Sequence, residues 1–476
     1  MVDTAQQYSP VTAKIVEELE QIVGRSYVIY QDEERMEEYS HDETPGKQYA
    51  HMPDVVVRPR TAHEIASIMK LANREMIPVT PRGAGSGLSG GAVPAYGGIL
   101  LSIDRMNSIL EIDKENLMVV VEPGVISTEI NEALEPHGLL FAGYPMSQET
   151  CYIGGNVAEN AGGGKAVKYG VTGRYVLGLE VITPTGEIVE MGGKLVKDVT
   201  GYNMPQLMVG SEGTLGIFSK IILRLMPLPK AQVDLLCLFP DTETALSVVP
   251  KVMTAGIIPT GIEFMDRASI QDSAENLNES LPYDTAGALL LITVDGTDAE
   301  LVDKEYEMVG DICTANGALE VYVADNSTNS RRIWGVRKNI GETYNLWSRP
   351  QSNEDLVVPP AAMGQLVTRL NELAAEHGVL VSSYGHAGDG NLHTRIRCPL
   401  DWDDARWEAV LPGILDNVYA LVAELGGRIS GEHGIGHKRK KYMNRVVSEE
   451  YINILRSIKR AMDPNNILNP GKIFDL

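Results

Sequence analysis

Residues 81–94 read PRGAGSGLSGGAVP and follow a short apolar stretch, residues 76–80. A segment so rich in glycine cannot propagate a helix or serve as a central strand. Its backbone can instead adopt positive φ and approach a ligand closely. Successive N–H groups in such a turn converge into an anion-binding nest. Two related stretches recur, IGGNVAENAGGGK at 153–165 and GSEGTLGI at 210–217. Three such segments predict a cofactor that carries phosphate.

The spacing excludes the commonest guests. A dinucleotide fold of the Rossmann type needs G-x-G-x-x-G opening a helix, with an acidic residue some way on. Gly83, Gly85 and Gly87 have another spacing, and Gly90, Gly91, Pro94, Gly97 and Gly98 break any helix that could follow. No Gly-Lys-Ser/Thr ending is present for a nucleotide P-loop.

PRGAGSGLSGG, IGGNVAENAGG, KDVTGYNMPQLMVGSEGTLGIF, GHAGDGNLH, GEHGIG and MDPNNILNPGKIF occur in this order. Together they resemble the flavin-linked oxidase family of D-lactate dehydrogenases, glycolate oxidase D subunits and D-2-hydroxyglutarate dehydrogenases. The likeness runs from about residue 54 to 474. It implies an α+β chain: an FAD-binding domain of the vanillyl-alcohol oxidase/p-cresol oxidase type plus a ferredoxin-like cap domain. The expected division is an N-terminal helical segment at 1–50, the FAD-binding domain at 51–229, a cap at 230–450, and a tail at 451–476 returning to the FAD domain.

A length of 476 residues suits two cores. The net charge of −23 speaks against nucleic acid or an anionic membrane surface as partner. A small anionic substrate remains compatible, because local cations dominate within a screening length of about 8 Å. Cys151, Cys237, Cys313 and Cys398 form no C-x-x-C and no iron–sulfur ligand set. The opening MVDTAQQYSPV shows no secretory pattern, and apolar runs such as 288–294 are strand-sized. A cytoplasmic location is expected.

The alternation of strands and helices is irregular and its connections short, which favours α+β over a doubly wound sheet. A helix is expected over 9–23, capped by Ser9 with Pro10 first. Thr61 and Glu64 form a capping box for a helix to about 74. Strands are expected at 54–58, 77–80, 99–103, 118–122 and 220–225, and a Pro-rich linker at 226–230.

The resemblance distributes FAD contacts over the three glycine segments. Arg82, Gly83, Ala84, Gly85, Ser86, Gly87 and Leu88 are expected to cradle the pyrophosphate. Thr150, Gly154, Gly155, Asn156, Asn160, Gly162 and Gly163 would line the flavin and ADP portions. Glu212, Gly213 and Ile217 would meet the adenosine half, and Asn469 the ring. Covalent relatives carry a histidine in the first loop, where Gly85, Ser86 and Gly87 stand, so the flavin is expected to be non-covalent.

Residues 379–383 and 392–397 read as strands around the turn 387–390. If His386 pairs with Asn391, His393 is its diagonal neighbour on the same face, within about 7–8 Å. Two imidazoles joined by a carboxylate suit Fe, Zn or Mn. By resemblance, Glu432 is the third metal ligand and Arg337 the grip on the substrate carboxylate. His433 is the candidate general base, since imidazole exchanges a proton near neutral pH. His437 is expected to be an exposed residue beside the basic run 438–441. The hydroxyglutarate branch places a lysine where Asn353 stands, which points to a small 2-hydroxy monocarboxylate such as D-lactate or glycolate.

The expected activity is therefore FAD-dependent oxidation of a small D-2-hydroxy acid to the 2-oxo acid, with a divalent metal. Electrons would pass to a partner, an electron-transfer flavoprotein or iron–sulfur subunit. The alternatives are a D-2-hydroxyglutarate dehydrogenase and a non-catalytic flavin subunit of an electron-transfer complex. The second would not need to keep His386, His393 and His433.

Overall fold

A computed structural model of the chain describes residues 8–279, 281, 285–324 and 326–476. The first seven residues of the N-terminal segment thus lie outside the described residues. The chain divides into two compact units. The first comprises residues 8–161, Val171–Pro227 and His433–Leu476; the second comprises Gly162–Gly170 and Leu228–Glu432.

In the first unit a small sheet runs in the order Val28–Ile29, Val55–Val57, Ile99–Ser102, Val79–Arg82. Its last three strands are parallel. Both faces are covered, so these strands read as continuous apolar runs rather than alternating ones. Val55, Val57, Ile99 and Leu101 pack with Ile65, Ile68 and Met69 of the helix Ala62–Glu75 and Leu19 of the helix Ala13–Val23. Val56 and Leu100 meet Ile29 and Met36 on the other side. A second, antiparallel sheet follows the order Ile109–Asp113, Met118–Val121, Ile217–Arg224, Val176–Ile182, Ile188–Gly192.

Local signals needed adjustment. The first helix begins at Ala13, not near Ser9, because Thr12 supplies the cap while the Ser9 N–H donates to the Met76 carbonyl. Thr61 does cap the helix Ala62–Glu75. Glu64, however, accepts from the Arg60 N–H rather than closing a reciprocal box. Met226–Pro227 is not a free linker: it pairs with Leu139–Leu140, and the boundary between units falls just after it.

The C-terminal segment belongs to the first unit from His433 onward, so the second unit ends at Glu432 rather than 450. Residues 467 and 469 exchange backbone hydrogen bonds with Val79 at the edge of the small sheet. Buried Lys459 ties this return down, donating to the carbonyls of Thr214 and Leu468 and to Asp463 at 2.6–2.8 Å.

The second unit is built on one antiparallel sheet of seven strands. Their order is Glu320–Ala324, Ala231–Phe239, Ala288–Gly296, Gly261–Asp266, Leu380–His386, Asn391–Arg397, Gln351–Val357. The helices Arg267–Leu277 and Ser327–Asn345 bury one face of it, with Ile270, Ala274, Ile333, Val336 and Ile340 against Leu236, Met265, Leu289, Leu291 and Tyr384. Residues 162–170 join this unit because Lys168 and Tyr169 both bond to buried Asp295, each at 2.7 Å. Among the described residues, no helix is long and apolar enough to cross a membrane.

Candidate functional site

In the first unit, the glycine segments enclose a cavity. Of the expected FAD contacts, Arg82, Gly83, Gly154, Gly155, Glu212, Gly213 and Ile217 line it. A Cβ placed on Gly155 would meet no atom within 4 Å, so this glycine opens directly onto the empty space. The wall also includes residues outside the expected contacts, among them Gly91, Ala92, Ile103, Pro123 and Glu159. Glu159 Oε2 and the hydroxyls of Ser89 and Ser211 are buried without a hydrogen-bond partner. Burial, with Glu212 and Asp42 nearby, holds the Glu159 carboxyl well above the usual range. A glycine-walled cavity with the unsatisfied Glu159 carboxyl in its wall fits a large polar cofactor such as FAD.

Several expected contacts have other occupations. The Arg82 guanidinium donates to the carbonyls of His41 at 2.7 Å and Glu38 at 2.9 Å, anchoring the preceding segment. Gly85 has φ +79°, and a Cβ there would fall 2.1 Å from Arg82 Nη2. The positive φ favours glycine here, and a larger residue would also displace the arginine beneath it. Ala84, Ser86, Gly87 and Leu88 are half-buried in the same loop and do not line the cavity. Thr150 is exposed and bonds to the Ser147 carbonyl. Asn156 donates to Ser127 Oγ and Cys151 Sγ. Asn160 ends the helix Ile153–Glu159 at φ +55° and accepts from the Gly173 N–H. Gly162 and Gly163 belong to the second unit, drawn there with Lys168 and Tyr169.

The carboxylate of Glu212 accepts the N–H groups of Ile435 and Gly436, both at 2.7 Å. It therefore holds the segment that follows His433. Asn469 donates to the carbonyls of Gly91 and Glu212. His437 is half-buried beneath Gly90 rather than exposed, and Lys438 and Arg439 of the basic run are buried.

In the second unit the hairpin register is as expected: His386 pairs with Asn391, and His393 with Tyr384. The two imidazole rings lie 5.3 Å apart, edge to face. Glu432 reaches both, with Oε1 3.5 Å from His386 Nε2 and 3.2 Å from His393 Nε2. His386 Nε2 is buried and makes no hydrogen bond. Two convergent imidazoles and a carboxylate, one donor atom being orphaned, fit a divalent transition metal.

Carboxylates that no local pattern revealed hold these three in place. Asp355 Oδ2 accepts from Ser430 Oγ and from the N–H groups of Gly431 and Glu432 at 2.7–2.9 Å. Its other oxygen accepts from Asn391 Nδ2. Glu263, wholly buried, lies directly across from His386 in the sheet. Its two oxygens stand 2.7 Å from His386 Nδ1 and 2.5 Å from Arg337. Burial alone would lower the His386 pKa, but the carboxylates of Glu263 and Glu432 outweigh it and hold the imidazole well above its ordinary value. Burial likewise works against an ionised Glu263, yet His386 and Arg337 keep its carboxyl below the usual range. Arg337 is buried over the Tyr384 ring, with Nε unpartnered. Glu432 is the last residue of this unit, and His433, next in the chain, opens the returning segment of the other.

Comparison with known proteins agrees with both halves. Residues 53–192 match the FAD binding domain model, and 228–473 match that of the C-terminal domain of FAD linked oxidases. The chain is 38% identical to a glycolate oxidase subunit GlcD of Bacillus subtilis, covering 92% of each. It is 37% identical to a D-lactate dehydrogenase of Anaerostipes hadrus over 98% of each, and 29% identical to a D-2-hydroxyglutarate dehydrogenase of Stutzerimonas stutzeri over 97% and 98%. Among solved structures, p-cresol methylhydroxylase superposes with a TM-score of 0.81 at 19% identity, covering 98% of this chain and 99% of that one. The fold is that of the vanillyl-alcohol oxidase group, and the chain belongs to the FAD-linked oxidases.

Proposed function

We propose that this chain is an FAD-dependent dehydrogenase that oxidises a D-2-hydroxy acid to its 2-oxo acid. The observation that carries the reading is the convergence of His386 Nε2 and His393 Nε2 on Glu432 Oε1, in a chain that also bears a glycine-walled cavity. The relatives named for D-lactate and glycolate support a 2-hydroxy acid as substrate class.

Oxidation removes a proton from the 2-hydroxyl and a hydride from C2, leaving a carbonyl. Bound FAD supplies the acceptor for the hydride and its two electrons. His386, His393 and Glu432 would hold a divalent metal, which would supply Lewis acidity toward the hydroxyl oxygen. His433 takes the hydroxyl proton at an imidazole nitrogen. Arg337 Nε offers its N–H to the acid's carboxylate, while the pair with Glu263 keeps the guanidinium from rotating.

The FAD is held without a covalent bond, since no histidine stands in residues 81–94. The electrons then leave to a docking protein, because the chain has neither a nicotinamide fingerprint nor cysteines spaced for an iron–sulfur relay.

Anaerobic addition of D-lactate, glycolate or a D-2-hydroxy diacid, singly, should bleach the flavin spectrum. Replacing His386 or His393 with alanine should lower metal content and bleaching together while FAD stays bound. Full bleaching in a metal-free variant would overturn the metal's role. Rapid peroxide formation in air, unaffected by an added electron-transfer flavoprotein, would overturn the partner assignment.

A further inference from the structure

The strand Asn391–Arg397 carries His393, Arg395 and Arg397 on one face, each two residues from the next and so about 7 Å apart along the strand. All three are buried. The two arginines differ in their surroundings. Arg397 donates to Ser382 Oγ, reaches Asp272, and lies between the rings of Tyr344 and Trp347, each 4.7 Å away. Arg395 is 2% exposed and forms no ion pair among the described residues. Its Nη1 has no hydrogen-bond partner, and its contact with a side chain of the sheet is a long one from Nε to Tyr384 Oη, 3.5 Å.

A guanidinium buried without a counter-charge is costly, and proteins seldom keep one unless an anion arrives to meet it. The surroundings of Arg395 place such an anion beside the metal centre. Tyr384 stands between the two: its ring lies 5.4 Å from that of His393 and its hydroxyl faces Arg395. On the helix Ser327–Asn345, the residue facing Arg395 is Gly341, where even a Cβ would stop 3.9 Å from Nη2. The residue paired with Arg395 on the neighbouring strand is Asn353. That is the position where the hydroxyglutarate branch places a lysine. The cation absent from one strand is thus present on the next.

We propose that Arg395 binds a second anionic group on the substrate, which makes the preferred substrate a D-2-hydroxy dicarboxylate rather than a monocarboxylate. This rests on the D-2-hydroxy-acid dehydrogenase reading above. The carboxylate and hydroxyl of the head occupy the metal centre and Arg337, and the far carboxylate meets the guanidinium fork of Arg395.

The test is anaerobic flavin reduction of the metal-loaded holoenzyme by D-lactate, D-malate and D-2-hydroxyglutarate, in wild type, Arg395→Met and Arg395→Lys. Wild type should favour a diacid over D-lactate in kcat/KM. Arg395→Met should lower that preference by about 100-fold or more, chiefly through KM for the diacid, because a buried charged partner is lost. Arg395→Lys should restore part of it. In the absence of substrate, Arg395→Met should also raise Tm, since an unpaired buried charge is removed; an arginine serving only the fold would lower it. A wild-type preference for D-lactate, or a diacid-to-lactate ratio unmoved by Arg395→Met, overturns the assignment and leaves the dehydrogenase reading standing. Failure of all three acids to bleach the flavin overturns both.

Discussion

Glu263 Oε1 lies 2.7 Å from His386 Nδ1, and the partner oxygen of the same carboxylate lies 2.5 Å from Arg337. One buried acid therefore governs a metal-ligand candidate and a substrate-binding candidate together. A hydrogen bond accepted from Nδ1–H leaves Nε2, on the side toward Glu432, as the nitrogen that would give up its proton to a metal. Glu263→Gln keeps the shape but loses the charge. Metal affinity, followed by metal content after dialysis against graded chelator, should fall by about 10- to 100-fold while FAD content is unchanged. Retention of wild-type affinity would reduce Glu263 to a packing residue.

His433 follows Glu432 directly, so the proposed general base and a proposed metal ligand share one short segment. His433→Gln should keep metal and FAD but slow anaerobic flavin reduction by about 10²- to 10⁴-fold. A wild-type reduction rate in this variant would show that the hydroxyl proton goes elsewhere.

Gly85 is costly to replace, chiefly for its φ of +79° and also for the arginine beneath it. Gly85→Val should release Arg82 from the carbonyls of Glu38 and His41 and disorder the wall of the cavity. A β-branched residue at positive φ adds roughly 1–3 kcal/mol of strain. Loss of flavin on gel filtration and a lower Tm are expected. Intact flavin content with normal Tm would contradict this account.

Lys472 is buried, donates to the Val93 carbonyl, and is pulled down to about 8 by desolvation. In the unfolded chain a lysine titrates near 10.4, so between roughly pH 8 and 10 the unfolded state holds more protons than the folded one. This group's contribution therefore makes stability rise with pH across that window. Below it, the full cost of burying the ammonium applies. Urea unfolding of wild type and Lys472→Met at pH 7.5 and 9.5 should show the wild type gaining relative to the variant at the higher pH, by about 2 kcal/mol. A constant difference would mean that Lys472 stays charged in the folded protein throughout.

Much of the site was legible from residue order because it depends on short-range geometry. The period of two along a strand and the turn at 387–390 place His386 and His393 on one face before any tertiary contact is known. The glycine segments announce a close backbone approach because only glycine tolerates it. Chain order alone places His433 beside Glu432.

The partners of those residues are another matter. Glu263 stands 123 positions from His386 and becomes its neighbour because the strand Gly261–Asp266 is inserted beside Leu380–His386 in the sheet. Apolar alternation tells which side of a strand is buried, but not which strand lies next to it. For the same reason chain order does not show that the Arg82 guanidinium also bonds to the carbonyls of Glu38 and His41. Asn353 likewise reads as a missing charge until Arg395 is found opposite. Periodicity and backbone permissiveness are local properties of the chain, and they marked the glycine segments and the histidine pair. Strand order is set by the packing of the whole unit, and it alone decided which buried charges meet.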